Sequence, residues 1–365
     1  MLAPDAAVEF GCKDAISGAS SAVHNREIHP QIESVPPSSQ CAPGLIRHCD
    51  RMGDEHDIIR RAAALERGVS DREIRRLCGR GHWHRVHRGA YLPAESYSQL
   101  DEYGRHHRRA VAVAGAIRSD AALSHVSAAV LHGLALWHTP LDDVHLTRNR
   151  AGGAKRTPGR NLHASPFAPD EVTEIDGARV LTVARTVADL ARTLPFEQAV
   201  VAGDHALHTC GISVADVTDA LARNVRHPGH AKGLRAAQFM DGRSESVGES
   251  RSRVLFVRAG LPIPLTQATV HDARGRWLAR VDFLLPDHGV IGEFDGRVKY
   301  RGDDVAPEET VWREKQREDR LRDAGWTVVR WVWDELAAPL VVADRIREAI
   351  TRAARGPRPT GTFRV

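Results

Sequence analysis

Residues 280–296 carry the clearest pattern of hydrophobic and polar positions in the chain. Val281, Phe283 and Leu285 occupy alternate positions, and Val290 and Ile291 follow a short segment of Pro, Asp, His and Gly. Alternation on both sides of a run of turn residues is typical of two antiparallel strands. The pattern therefore predicts a β-hairpin.

The register of this hairpin follows from the length of its loop. If Leu285 pairs with Val290 across the four-residue loop, Asp282 lies opposite Glu293 and Arg280 lies opposite Asp295. All four of these side chains then share one face of the hairpin.

Two directly opposed carboxylates repel each other, and a bound cation that prefers oxygen ligands relieves the repulsion. Mg²⁺ or Mn²⁺ at such a site can orient a phosphate and activate water for phosphodiester hydrolysis. The alternative is that Arg280 and Arg297 neutralise the acids at a solvated sheet edge.

Helices and a further strand flank the hairpin. A helix that carries Glu249 ends at 260–262, a charged helix covers 308–324, and a β-branched strand covers 327–333. The predicted order is helix, three strands, helix, strand.

This order resembles the PD-(D/E)xK nuclease fold, and most closely the branch similar to very-short-patch-repair endonucleases. The matching residues are Glu249, Asp282, Glu293 to Gly296, and the stretch 317–330. The resemblance implies that Glu249, Asp282 and Glu293 hold the metal and that Asp295 occupies the position of the family's lysine.

A missing lysine leaves the site short of positive charge near the reacting phosphate. Lys315 on the following helix is the first candidate to replace it, and Lys299 is the next. Without such a cation, the domain would bind nucleic acid without cutting it.

A second informative stretch covers residues 56–92. Ile58, Ile59 and Leu65 belong to a predicted first helix that ends at Gly68, and Ser70 to Glu73 form a capping box that opens a second helix. A predicted β-hairpin wing follows, so a winged helix-turn-helix is expected. The predicted contacts to double-stranded DNA are Arg72, Arg75, Arg76, Arg80, His84, Arg85 and Arg88. The alternative is a small α+β cap whose arginines are merely solvated.

The segments 69–77 and 82–92 look like the N-terminal domain of AbiEi-type antitoxins, and segments 123–134, 144–147 and 181–191 are similar to later parts of that family. The resemblance implies a transcriptional autorepressor of an abortive-infection toxin–antitoxin system, with a cognate toxin as a possible partner.

The middle region, 97–235, suggests little chemistry of its own. His125 and His132 lie seven residues apart on one predicted helix, and without a third ligand nearby a packed or capping role is expected. Asp189 and Arg192 are predicted to form a surface ion pair on another helix.

Composition narrows the class of protein. The 365 residues are 42% hydrophobic and 27% charged, which is typical of soluble globular proteins. No long apolar run or signal peptide is evident, so no membrane association and a cytoplasmic location are expected. The five cysteines show no zinc-like or disulfide-like spacing and are expected to be reduced.

Charge is distributed unevenly along the chain. Residues 1–51 contain four basic and six acidic side chains, so the remainder carries +6, which suits a polyanionic partner. The first 51 residues lack periodicity and are predicted to be disordered, with Met52 as an alternative start.

Together these patterns predict a multi-domain α/β protein. The expected parts are a disordered extension (1–51), a winged helix-turn-helix (52–95), an α/β middle domain (97–235) and a nuclease-like mixed sheet flanked by helices (240–356). Mg²⁺- or Mn²⁺-dependent DNA cleavage is the leading hypothesis, and a non-catalytic antitoxin-type regulator is the alternative. Phosphodiester chemistry alone leaves RNA open as a substrate.

Overall fold

The computed structural model describes residues 58–117, 120–296 and 308–365, which form a mixed α/β protein with three sheets. The predictions of a disordered segment at 1–51 and of a start at Met52 lie outside these residues. Within the described residues, no helix has both the length and the apolar character needed to cross a membrane.

The N-terminal part is a three-stranded sheet of order β1-β3-β2 with two helices. Its elements are β1 (Ile59–Arg60), α1 (Arg61–Glu66), α2 (Asp71–Gly79), β2 (Trp83–His87) and β3 (Ala90–Pro93). A small core of Ala64, Ile74 and Tyr91 holds the helices against the sheet.

The structure corrects the predicted start of the first helix. The sequence pattern predicts that Ile58 and Ile59 are helical, but Ile59 pairs with Tyr91 in the sheet and the helix begins at Arg61. β-Branched side chains such as isoleucine pack well on a pleated sheet, and strand β3 provides the partner for Ile59. The predicted start of α2 is confirmed, because the Glu73 amide donates to Ser70 Oγ at 3.2 Å.

The middle part is a six-stranded mixed sheet of order β6-β7-β5-β4-β9-β8, covered by helices. Its strands are β4 (Ala121–Leu123), β5 (Val144–Arg148), β6 (Lys155–Thr157), β7 (Arg160–Ala164), β8 (Val172–Ile175) and β9 (Ala178–Leu181). Its helices are α3 (Ala94–Gln99), α4 (Glu102–Ala114), α5 (His125–Leu131), α6 (Val183–Thr193), α7 (Phe196–Thr209), α8 (Val214–Ala222) and α9 (His230–Phe239).

Helix α6 lies at the centre of the helical layer and carries a buried ion network. Asp189 is fully buried and contacts Arg185 Nε at 3.2 Å and Arg192 Nη2 at 2.5 Å. The prediction of a surface pair between Asp189 and Arg192 is therefore wrong. Helices packed on all sides of α6 bury the pair, and Arg185 supplies the further contact that a buried carboxylate needs.

The C-terminal part is a five-stranded sheet of order β13-β12-β11-β10-β14. Its elements are α10 (Val247–Arg258), β10 (Leu265–His271), β11 (Trp277–Leu285), β12 (Val290–Asp295), α11 (Glu308–Asp323), β13 (Thr327–Val332), α12 (Pro339–Ala353) and β14 (Thr362–Arg364). The predicted order from α10 to β13 is confirmed. Strand β14 lies beyond residue 356, the predicted end of this domain.

Helices cover both faces of this sheet. Phe256 of α10 and Ile346 of α12 pack with Phe283 and Trp331 on one face, whereas Leu321 of α11 packs on the other. Gly292 makes the first packing possible, because a Cβ atom there would lie 2.6 Å from the ring of Trp331.

The predicted hairpin register is confirmed near the turn and ends sooner than expected. Leu285 pairs with Val290, and the ladder continues only to Phe283 and Gly292. Asp282 does not pair with Glu293 in the ladder, and its side chain accepts a hydrogen bond from the following residue: Phe294 N donates to Asp282 Oδ2 at 2.9 Å.

Arg280 does not lie opposite Asp295, contrary to the predicted register. It pairs with Thr269 on β10, and its side chain bonds to Glu245. The expectation that Arg280 shares a face with the acids is nevertheless met, since it lines one cleft with Asp282, Glu293 and Asp295.

Candidate functional sites

A basic surface is formed by α2 and the hairpin of β2 and β3. Ile74 on the opposite side of α2 is buried, so the spacing of three or four residues turns the arginines outwards. We call this surface the arginine face. It comprises Arg72, Arg75, Arg76, Arg80, His84, Arg85 and Arg88, and every one of these side chains is exposed.

Few acids offset this charge. Residues 58–94 contain nine arginines and three acidic residues. Asp71 pairs with Arg61, and Glu73 contacts Arg76 at 2.8 Å, so two of the acids are already engaged. The arginine face therefore presents a net positive potential to solvent.

His84 differs from its basic neighbours. Its ring stacks on Tyr97 with centroids 3.7 Å apart. Partial burial, with a smaller contribution from Arg105, lowers the pKa of His84. At neutral pH this imidazole is therefore uncharged, and it can act as a hydrogen-bonding group.

A second site lies at the end of the C-terminal sheet, in a cleft of about 470 Å³. We call it the carboxylate cleft. Its acidic lining residues are Asp282, Glu293, Asp295, Glu314 and Glu318, and its basic ones are Arg280, Lys315, Arg317 and Arg330.

Asp282 is linked to Glu249 through one amide side chain. Gln267 Nε2 donates to Glu249 Oε2 at 2.8 Å and to Asp282 Oδ1 at 3.4 Å. Glu249 itself is held at the start of α10, where it accepts from Ser246 Oγ at 2.8 Å and Glu245 N at 3.0 Å. Two of the three predicted acidic ligands are thus connected.

Electrostatics inside the cleft favour the uncharged form of Asp282. Burial, followed by the nearby Glu249 and Glu293, raises the pKa of Asp282 to about 7 despite the hydrogen bond from Phe294. Burial likewise raises the pKa of Glu249. Both shifts indicate that the negative charges of Asp282 and Glu249 are not balanced by nearby cations.

Of the three predicted acidic ligands, Glu293 is the one with cationic side chains beside it. Arg317 Nη2 lies 2.8 Å from Oε1, and Arg330 Nη2 lies 2.8 Å from Oε2. Both carboxylate oxygens of Glu293 are therefore in ion pairs, so a bound cation would share this carboxylate with the two arginines. The three carboxylates, of which Asp282 and Glu249 have raised pKa values, fit a hard cation such as Mg²⁺ or Mn²⁺.

The predicted cation and the observed cations differ. Lys315 lines the cleft but is exposed, whereas Arg317 touches Glu293. Helical phase explains the difference: Glu314, Arg317 and Leu321 lie on the side of α11 that meets the sheet, and Lys315 lies beside that stripe. The other proposed cations, Arg297 and Lys299, lie outside the described residues.

Gln267 joins this site without any signal in the sequence. It has a φ of +57° in the middle of β10, and the ladder omits it between Thr266–Phe283 and Ala268–Val281. A strained non-glycine residue facing two carboxylates is typical of a functional site. No residue type around Gln267 in the chain indicates a positive φ.

Comparison with known proteins adds a family resemblance for the N-terminal part. Residues 53–94 match the family described as transcriptional regulator, AbiEi antitoxin. This range contains the whole arginine face.

Two curated relatives extend the similarity without indicating a function. The chain is 29% identical over 203 residues to the uncharacterized protein Rv2248 of Mycobacterium tuberculosis strain H37Rv, which covers 56% of this chain and 69% of the relative. The uncharacterized protein MT2308 of strain CDC 1551 / Oshkosh matches with the same identity and coverage.

Proposed function

We propose that this chain is a transcriptional regulator of the antitoxin type that binds duplex DNA through its arginine face. One observation carries the proposal: seven basic or imidazole side chains are all exposed on one helix and hairpin, within the range that matches the regulator family. On this proposal, a cognate toxin is the expected protein partner.

The geometry suits a winged helix-turn-helix. Helix α2 follows α1 after a short turn and would enter the major groove, where Arg72, Arg75 and Arg76 reach base edges or phosphates. The hairpin of β2 and β3 would lie along the backbone and place Arg85 and Arg88 against phosphates.

The test is fluorescence anisotropy with a duplex taken from upstream of the chain's own coding sequence and with a scrambled duplex. Arg75→Ala/Arg76→Ala should weaken binding and reduce the log–log salt slope by roughly 0.9 for each phosphate that the variant no longer neutralises. The charge-matched control is Arg226→Ala/Arg235→Ala, since both residues are exposed in the middle part. An unchanged slope in the first variant would refute the interface, and equal affinity for both duplexes would refute regulation at that site.

A second candidate function is metal-dependent cleavage of nucleic acid at the carboxylate cleft. It is favoured by the cluster of Asp282, Glu249 and Glu293, in which the raised pKa values of Asp282 and Glu249 call for a cation. When bound, Mg²⁺ or Mn²⁺ would supply a nucleophilic water and charge stabilisation for an in-line attack.

The protein's own groups have distinct roles in this hypothesis. Asp282 and Glu293 would hold the cation, and Glu249 would be oriented towards it by Gln267. Arg317 and Arg330 line the cleft beside Glu293 and, together with the exposed Lys315, would supply the positive charge that the missing lysine does not, stabilising charge on the phosphate. Asp295, at the position of the missing lysine in the sequence pattern, also lines the cleft.

Supercoiled plasmid incubated with Mg²⁺, with Mn²⁺ or with EDTA tests this candidate. Asp282→Asn should abolish metal-dependent nicking, and Arg317→Lys should lower its rate on the order of 10²-fold with little change in DNA affinity. A single-stranded RNA substrate in parallel would distinguish the sugars. Wild-type protein that is inert with every divalent metal would leave the regulator as the only function.

A further inference from the structure

We propose that His125, His145 and His163 form a binding site for a transition metal of the zinc class. This site is separate from the carboxylate cleft and does not depend on either proposed function. The three residues come from three elements of the middle part: the first residue of α5, strand β5 and strand β7.

The sheet places two of the imidazoles side by side. In the parallel ladder of β5 and β7, His145 pairs with Asn161 and Thr147 pairs with His163, so the two histidines are two positions apart on one face. His145 Nδ1 lies 3.0 Å from His163 Nε2. Two nitrogens bound to one tetrahedral zinc ion are roughly 3.3 Å apart, given Zn–N bonds near 2.0–2.1 Å.

His125 completes the cluster from the helix above. One ring nitrogen from each of the three histidines lies within 4.8 Å of the others, and the His125 ring stacks on His163 with centroids 3.7 Å apart. A rotation that separates the stacked His125 and His163 rings would bring all three nitrogens onto one ion. Ser124 Oγ lies 3.0 Å from His125 Nδ1, which leaves Nε2 of His125 to face the cluster.

The backbone at His125 has a conformation that is unusual for a residue other than glycine. This buried residue has a φ of +50°, a conformation that costs a non-glycine residue of the order of 1–3 kcal/mol. The imidazole of this residue lies 3.7 Å from the ring of His163 and 5.8 Å from that of His145, measured between centroids. Residues held in this region cluster at ligand sites.

The protonation state also suits a metal. Burial lowers the pKa of all three imidazoles, that of His145 to about 4, so each is neutral at pH 7. Neutral imidazole is the form that coordinates a metal, and nitrogen ligands favour Zn²⁺ or Cu²⁺ over Mg²⁺. His145 and His163 are only half-buried, so a fourth position remains open to water or an external ligand.

The packed or capping role predicted for His125 and His132 is confirmed for His132, and His125 is buried. The seven-residue spacing pairs His125 with His132 and offers no third ligand. His132 Nε2 instead donates to Leu181 O at 2.7 Å, as a capping side chain does. The true neighbours of His125 are 20 and 38 positions away, and only the sheet brings them near.

The test uses the full chain carrying Asp282→Asn, so that the carboxylate cleft contributes less metal binding, after dialysis against EDTA. Zn²⁺ titration by calorimetry should reveal one equivalent, and Zn²⁺ should raise the melting temperature. Co²⁺ in place of Zn²⁺ should give the intense visible absorption of a four-coordinate ion. His145→Asn and His163→Asn should each abolish these signals, whereas the exposed control His208→Asn should keep them.

Two kinds of result would overturn the site. One is a folded parent protein that takes up no zinc, or whose cobalt spectrum is the pale one of a six-coordinate ion. The other is one equivalent of zinc retained by both histidine variants. The cobalt spectrum needs no histidine variant, so it decides the matter even if one variant fails to fold.

Discussion

The surroundings of the Asp282 carboxylate disfavour its ionised form. Its folded pKa is raised to about 7, whereas an aspartate in an unfolded chain titrates near 4. A raised folded pKa means that the contribution of this group to stability is fully present below pH 4 and is lost as the pH rises through about 7. Above about pH 7 the charged Asp282 therefore destabilises the folded protein, and a bound cation would offset that cost.

We expect Asp282→Asn to melt at a higher temperature than wild type at pH 8, by roughly 2–4 °C for each kcal/mol relieved. The difference should vanish towards pH 4, and Mg²⁺ should raise the melting temperature of wild type alone. Differential scanning calorimetry across this pH range is the measurement. Asp287→Asn, at an exposed turn position, is the control. A destabilised Asp282→Asn at pH 8 would contradict the assignment.

At the scale of elements, the start of α10 joins helix capping to the carboxylate cleft. Ser246 Oγ accepts from Glu249 N at 3.1 Å and donates to Glu249 Oε1 at 2.8 Å. The same hydroxyl therefore caps the helix and orients a predicted metal ligand. Position 248, two residues after the cap, has to be glycine, because a Cβ atom there would lie 1.9 Å from the ring of Phe294.

Ser246→Ala should cost about 1 kcal/mol of stability through removal of the cap and should also weaken Mg²⁺ binding, since Glu249 is no longer oriented. Chemical denaturation and Mg²⁺ titration measure the two effects. Ser213→Ala provides the matched control, because Ser213 caps α8 through Asp216 far from the cleft. It should lose similar stability and keep its Mg²⁺ affinity. Equal Mg²⁺ affinity in both variants would show that Ser246 only caps the helix.

At the scale of the whole molecule, α10 connects the middle and C-terminal parts. Arg253 Nη1 lies 2.7 Å from Asp204 Oδ2 of α7, and Asp204 is completely buried. The Arg251 guanidinium lies 4.1 Å from the ring centroid of Trp137 and 5.6 Å from that of Trp333. Through these contacts α10 joins the six-stranded sheet of the middle part and the five-stranded sheet of the C-terminal part into one structural unit.

Arg253→Ala should destabilise the protein by about 3–5 kcal/mol, because it leaves a buried carboxylate without its partner. Burial already raises the pKa of Asp204 to about 6 against the opposing effect of Arg253, so the variant should lose most stability above that pH. Urea denaturation at pH 5 and pH 8 measures this. Arg258→Ala breaks a half-exposed pair with Glu197 and should cost below about 1 kcal/mol. Similar losses in the two variants would contradict the role given to Asp204.

Local features of the sequence determined much of this protein. The hairpin around Leu285 and Val290, the cap at Ser70 and the outward arginines of α2 follow from patterns within a few residues, because turn, capping and helical-period preferences act over that range. The order of elements from α10 to β13 follows for the same reason.

Tertiary structure alone decided the rest. The phase of α11 against the sheet selected Arg317 instead of Lys315 as the partner of Glu293, and packing around α6 buried Asp189. Strand pairing brought His145 and His163 to His125, and the strain at Gln267 arose only opposite Asp282. Each outcome depends on which residues distant in the chain become neighbours, and periodicity within one element carries no information about that choice.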